Sequence, residues 1–110
     1  MLGFDVEQVV AKLREAGGGY EVVQTSPGLE IGVYVLIAPT EDRQTPHFFD
    51  EVYIVLSGSG EIVVDDESRS LRVGEAVFVA AGADHHFRDY DDLALLVVFN
   101  GLESEHEEGG

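Results

Sequence analysis

The chain has no cysteine among its 110 residues. That removes disulfides, thiolate-bound zinc, iron–sulfur centres and cysteine nucleophiles, so any metal must be held by histidine, carboxylate, amide or backbone oxygen. Basic residues are also scarce. Six Lys and Arg stand against 22 Asp and Glu, a formal charge of −16. A chain so charged repels phosphate backbones, which argues against nucleic-acid binding. Long apolar runs are missing too: the longest near-continuous one, 93–99, is far short of the ~20 residues a membrane-spanning helix needs. Residues 1–10 have no basic stretch leading into an apolar run, so no secretory signal and no membrane partner are expected, and a cytoplasmic protein is the default expectation. No Ser-His-Asp order, Gly-rich phosphate loop or basic anion cradle is visible, and Arg43, Arg69, Arg72 and Arg88 are scattered.

What is present suits one small domain. A chain of this size buries about two thirds of the surface its unfolded form exposes, enough for a single core. One helix is expected at the start. Asp5 can cap it, Gln8 lies at capping-box spacing, and Val6, Val9, Val10 and Leu13 recur at the i, i+3, i+4, i+7 positions of one face. Gly17-Gly18-Gly19 ends it. Thereafter the chain reads as short strands near 20–25, 29–38, 51–56, 60–64, 69–73, 76–80, 85–88 and 93–99. They are separated by turns such as Ser26-Pro27-Gly28, Asp65-Asp66-Glu67 and Ala81-Gly82-Ala83. That pattern argues for an all-β sandwich or barrel. Acidic clusters at 65–67, 89–92 and 103–108 read as solvated turns and tail.

Several strands are apolar on both faces. Glu51, Tyr53 and Val55 alternate with Val52, Ile54 and Leu56; Leu93, Leu95, Val97 and Phe99 alternate with Ala94, Leu96 and Val98. One face fills an interior. The other needs cover, from the N-terminal helix alone or from a second copy, and a homodimer is expected.

Three of the four histidines lie in two compact segments. In the first, His47 is followed by three residues, Glu51, six residues and Gly58. In the second, Gly74 is followed by Ala80-Ala81-Gly82, His85 and Asp89. These segments resemble the two motifs of the cupin superfamily, as found in small single-domain bacterial cupins. The resemblance implies a double-stranded β-helix, or jelly-roll, barrel with a short N-terminal helix. Residues 1–27 would form the helix and an arm, 28–100 the barrel, and 101–110 an acidic tail.

The family's first motif opens on a His-x-His pair, and Thr45 stands at the first of those histidines. The family's proline and asparagine in the second motif are Ala80 and Asp89 here. The resemblance therefore implies a metal site of His47, Glu51 and His85, with Gln44 or Thr45 as an additional oxygen ligand. A 2-His-1-carboxylate set suits divalent Fe, Zn, Mn, Ni or Cu without choosing among them. Tyr53, Val55, Phe78 and Phe87 are the expected pocket lining, with Val97 and Phe99 as ordinary core. His86 alternates to the face opposite His85, and Asp50 reads as a solvated turn residue. The expected ligand is a small organic molecule, and the chemistry open to such a site is of dioxygenase, isomerase, decarboxylase or lyase type. A non-enzymatic ligand- or metal-binding module, and a cupin without its metal, are the alternatives.

Overall fold

The computed structural model of the protein describes residues 1–42 and 49–100. Gln44, Thr45, His47 and the acidic 101–110 tail lie outside the described residues.

Helix α1 spans Val6–Glu15. Asp5 caps it, with Oδ1 accepting from the Gln8 amide at 3.1 Å. Its apolar face buries Val10 and Leu13 against Val33, Val35 and Ala94. Eight strands follow: β1 Gly19–Ser26, β2 Leu29–Ile37, β3 Glu51–Ser57, β4 Gly60–Val64, β5 Glu67–Leu71, β6 Ala76–Val79, β7 His85–Arg88 and β8 Asp92–Asn100. They form two antiparallel sheets, ordered β1-β2-β8-β3-β6 and β5-β4-β7. This is the expected all-β jelly roll. Among the described residues the two sheets share no strand ladder, and side chains hold them together.

Alternation and the covering of both faces explain why several strands are apolar on each side. The inner face of the five-stranded sheet carries Leu36, Tyr53, Val55, Leu93, Leu95, Val97 and Phe99. It packs on Ile62, Leu71 and Phe87 of the smaller sheet. Part of the outer face is covered by α1, which closes a second cluster over Val33, Val35 and Ala94. Beyond the helix, Val52 and Ile54 stay half-buried, and Phe78 on β6 is 62% exposed.

Strand β5 sits two residues earlier than the apolar pattern of Arg69–Val73 predicts. The Asp65-Asp66 turn closes the β4–β5 hairpin so tightly that pairing resumes at once, Val64 against Glu67. An edge strand can be polar because one of its sides faces water. Val73 is left outside the strand and exposed.

Two motif positions have backbone reasons. Gly58 has φ +82°, and a Cβ there would stand 1.8 Å from the Asp92 carbonyl oxygen, so only glycine lets the end of β3 lie on the start of β8. Asp89 has φ +57°, a left-handed conformation that Asp and Asn adopt more readily than other side chains.

Candidate metal and ligand site

The site is assembled across the gap between the sheets. Glu51 opens β3, paired with Val79 on one side and Phe99 on the other. Those neighbours are buried, so Glu51 is buried with them and is 1% exposed. Tyr53 follows two residues on, on the same face. His85 opens β7 opposite Val64, and its alternation with His86 sends one ring inward and the other out to solvent.

These inward groups meet. His85 Nε2 lies 3.3 Å from Glu51 Oε1 and 2.9 Å from the Tyr53 hydroxyl. His85 Nδ1 donates to the Ala83 carbonyl at 3.1 Å. That bond places the proton of the neutral ring on Nδ1 and leaves the Nε2 lone pair facing Glu51 and Tyr53. In that neutral form Tyr53 donates to it, whereas in the protonated ring Nε2–H points to Glu51. Glu51 Oε2 is buried with no hydrogen-bond partner. A buried carboxylate oxygen without a partner is costly, and native structures retain one for a reason.

Burial opposes charge on His85. The hydrogen bond to Glu51, the Ala83 carbonyl and the negative charges of Glu51 and Asp42 outweigh it and raise the imidazole pKa above its ordinary value. Burial, together with the Glu51 charge and hydrogen bonding, pushes the Tyr53 hydroxyl far up, so it remains a protonated donor. The arrangement offers an imidazole nitrogen, a carboxylate oxygen and a hydroxyl to one point in a largely apolar interior.

Of the residues singled out from the sequence, Glu51, Tyr53, Val55, His85 and Phe87 all face this interior, and Tyr53 and Phe87 stack edge to face with centroids 4.9 Å apart. Phe78 does not. Val79 pairs with Glu51, so Val79 points inward and Phe78, opposite Val52, points out; the expectation that Phe78 lines the pocket is corrected. Asp50 is exposed, yet its Oδ1 accepts from the Ala81 amide at 3.0 Å, tying the β6–β7 turn to the start of β3. Among the described residues no group of three His, Asp or Glu side chains is close enough to hold a metal.

Asp42 escaped sequence reasoning. Its Oδ1 accepts from the Tyr34 hydroxyl at 2.6 Å and its Oδ2 from the Phe87 amide at 2.7 Å. It thereby joins β2 of one sheet to β7 of the other, at the strand that His85 opens. Nothing in its local sequence marks this, because the Phe87 amide it accepts from lies 45 positions away on the other sheet. An open groove of about 360 Å³ lies beside it, lined by 38–42 and 86–90. Its lining includes Phe87 and Asp42 but neither Glu51 nor His85.

The fold is a two-sheet jelly roll whose facing strands carry one buried glutamate and one buried histidine. A sequence profile of the Cupin domain matches residues 33–99, and the chain belongs to the cupin family. An uncharacterised protein of Streptomyces coelicolor is 37% identical over 105 residues, covering 94% of this chain and all of that one. The solved structure of a protein from Thermus thermophilus is 28% identical with a TM-score of 0.77, covering 91% of this chain and 97% of that one. The DMSP lyase DddQ of Ruegeria pomeroyi DSS-3 is 25% identical with a TM-score of 0.71, over 77% of this chain. The chain spans about half of that lyase, 47% of its length. Among the described residues no helix is long and apolar enough to cross a membrane.

Proposed function

We propose that this cupin binds one divalent metal ion through His47, Glu51 and His85, with Gln44 or Thr45 as a further oxygen donor, and acts there on a small organic molecule. One observation carries the reading. Glu51 Oε2 is buried without a partner, beside a His85 Nε2 whose ring is already oriented by the Ala83 carbonyl. A histidine tied at one nitrogen to a carbonyl, with the other turned toward a carboxylate, is the usual support for a metal ligand. The donor set suits borderline divalent ions. A bound metal would supply Lewis-acid polarisation of a substrate oxygen.

The chain's own groups do the rest. Tyr53 presents a hydroxyl that stays protonated, so it can donate a hydrogen bond, or a proton, to a group held beside His85. Val55, Phe87, Val97 and Phe99 keep water from the interior and orient an apolar substrate portion. The likeness to a lyase supports elimination chemistry within the range open to the family, although fold alone does not assign a reaction. The half-buried Val52 and Ile54 and the exposed Phe78 on the outer face support association of two copies through that face.

Elemental analysis of the tag-free full chain, after reconstitution with Fe²⁺, Zn²⁺ or Mn²⁺ and gel filtration, tests the site. One metal per chain is expected, falling below about one tenth in His85→Ala while the thermal transition is retained. Sub-stoichiometric metal that His85→Ala leaves unchanged refutes it. Ligand binding without turnover, across a screen of small acids and phenols with and without metal, favours the binding-module alternative.

A further inference from the structure

Polar and aromatic groups crowd one end of the inner face of the five-stranded sheet. A row of paired residues crosses all five strands there: Thr25, Glu30, Phe99, Glu51 and Val79. Glu30 therefore shares a face with Glu51, with Phe99 between them. Tyr20 reaches the same row from β1. Its hydroxyl donates to Glu30 Oε2 at 2.8 Å. Its ring meets Tyr34 and Phe99 edge to face, with centroids 6.1 and 6.5 Å away, and it remains 40% exposed. Gly32 makes room for that pose. A Cβ there would stand 2.2 Å from the Tyr20 hydroxyl oxygen, so a larger residue would push the ring aside.

Tyr34 and Tyr53 continue the wall inward, their hydroxyls engaged by Asp42 and His85. Each ring is thus held at its tip, which limits its motion. Apart from His85, the titratable groups that border the wall among the described residues are acidic. Glu30, Asp42 and Glu51 border it, and Glu51 Oε2 is buried without a partner. Among the described residues the basic side chains are engaged or exposed elsewhere. Lys12 pairs with Glu21, Arg14 with Asp92, Arg69 with Glu75 and Arg88 with Glu61, and Arg72 is exposed. Carboxylates and aromatic faces attract the same kind of ligand, because the face of an aromatic ring carries the negative part of its quadrupole.

We propose that the wall of Tyr20, Tyr34 and Tyr53, bordered by Glu30, Asp42 and Glu51, receives the positive head of a small organic cation such as a quaternary ammonium group. This rests on the site proposed above being the ligand site, and it names the class of ligand. A metal held at Glu51 and His85 would offset part of that negative charge, so the preference for a cation is expected in full in the metal-free protein and weakened in the loaded one. Tyr20 is the specificity-determining residue, since its ring is the exposed one that an arriving head group meets first.

The test uses the full chain, metal-free and loaded with Zn²⁺, and two probes of one shape. They are choline and its uncharged isostere, in which a tert-butyl group replaces the trimethylammonium. Calorimetry or ligand-observed NMR is expected to show choline binding at millimolar concentration, about tenfold tighter than the isostere. Tyr20→Leu is expected to abolish that preference and Tyr20→Phe to keep it, since the ring remains. If Tyr20→Leu loses its thermal transition, Glu30→Gln gives the readout instead, with choline weakened and the isostere unchanged. Equal binding of the two probes, or no choline binding in a chain that takes up one metal, overturns the cation proposal and leaves the metal site standing. A preference for choline in a chain that takes up no metal supports the proposal and refutes the metal reading alone. Binding of neither refutes both.

Discussion

The two ends of the interior are built from the same strands and differ in almost everything else. At one end Leu36, Val55, Leu93 and Leu95 of the larger sheet meet Ile62 and Leu71 of the smaller one, all buried and all aliphatic. At the other, further along the strands, stand Glu30, Glu51, Tyr53 and His85. Along β8 the inner residues stay apolar throughout, Leu93, Leu95, Val97, Phe99. Along β3 they run Val55, Tyr53, Glu51. The central strand thus supplies a continuous apolar floor, and polarity is added from the strands beside it. Aliphatic packing and polar groups are thus separated by distance along the strands.

Substitutions at the two ends should therefore behave oppositely. The largest effect is expected for Leu95→Ala, which removes a side chain with no exposed surface and leaves a cavity worth about 2–5 kcal/mol of stability. Urea unfolding measures it, and metal stoichiometry of the folded variant should be unchanged. A variant that keeps its stability but loses metal would show that the two ends are coupled.

A smaller stability change, about 1 kcal/mol, is expected for Glu51→Gln in metal-free protein at a pH where His85 is neutral, because no ion pair is then broken and the oxygen Oε2 has no hydrogen bond to lose. Metal uptake should fall sharply in the same variant. A stability loss above about 2 kcal/mol would make Glu51 a structural residue and erase the contrast.

The smallest effect is a pH dependence confined to the polar end. The His85 pKa in the folded protein lies above its ordinary 6.5. Protonated His85 therefore stabilises the fold, in full below pH 6.5, and that contribution is lost as pH rises through the folded value. The melting temperature of chelated protein should fall slightly across that window, and His85→Gln should flatten the fall. A rise across the same window would mean that His85 is held neutral.

Much of this was legible in the sequence. Eight strands and one capped helix follow from alternation and turn chemistry, which are local, and the two motifs are found by their resemblance to a known family. Alternation alone puts Glu51, Tyr53 and Val55 on one face and separates His85 from His86. What could not be read depends on which strands become neighbours. The order β1-β2-β8-β3-β6 places Glu30 beside Phe99 and Phe99 beside Glu51, although 69 and 48 positions separate those pairs in sequence. Tyr20, Glu30 and Asp42 acquire their surroundings only through that order. Phe78 failed for the same reason, since its direction is set by whether Val79 or Phe78 pairs with Glu51. The β5 shift came from hairpin closure overriding an apolar pattern.

Asp42 has a mechanical consequence. The spacing within each sheet is fixed by its backbone ladder, but no such ruler spans the opening between β2 and β7. There the Asp42 carboxylate acts as a strut, with the Tyr34 hydroxyl on one oxygen and the Phe87 amide on the other, beside the edge-to-face contact of the Tyr34 and Phe87 rings. The width of the chamber is thus a side-chain dimension. A change at position 42 would alter the width of the chamber together with the charge at its border.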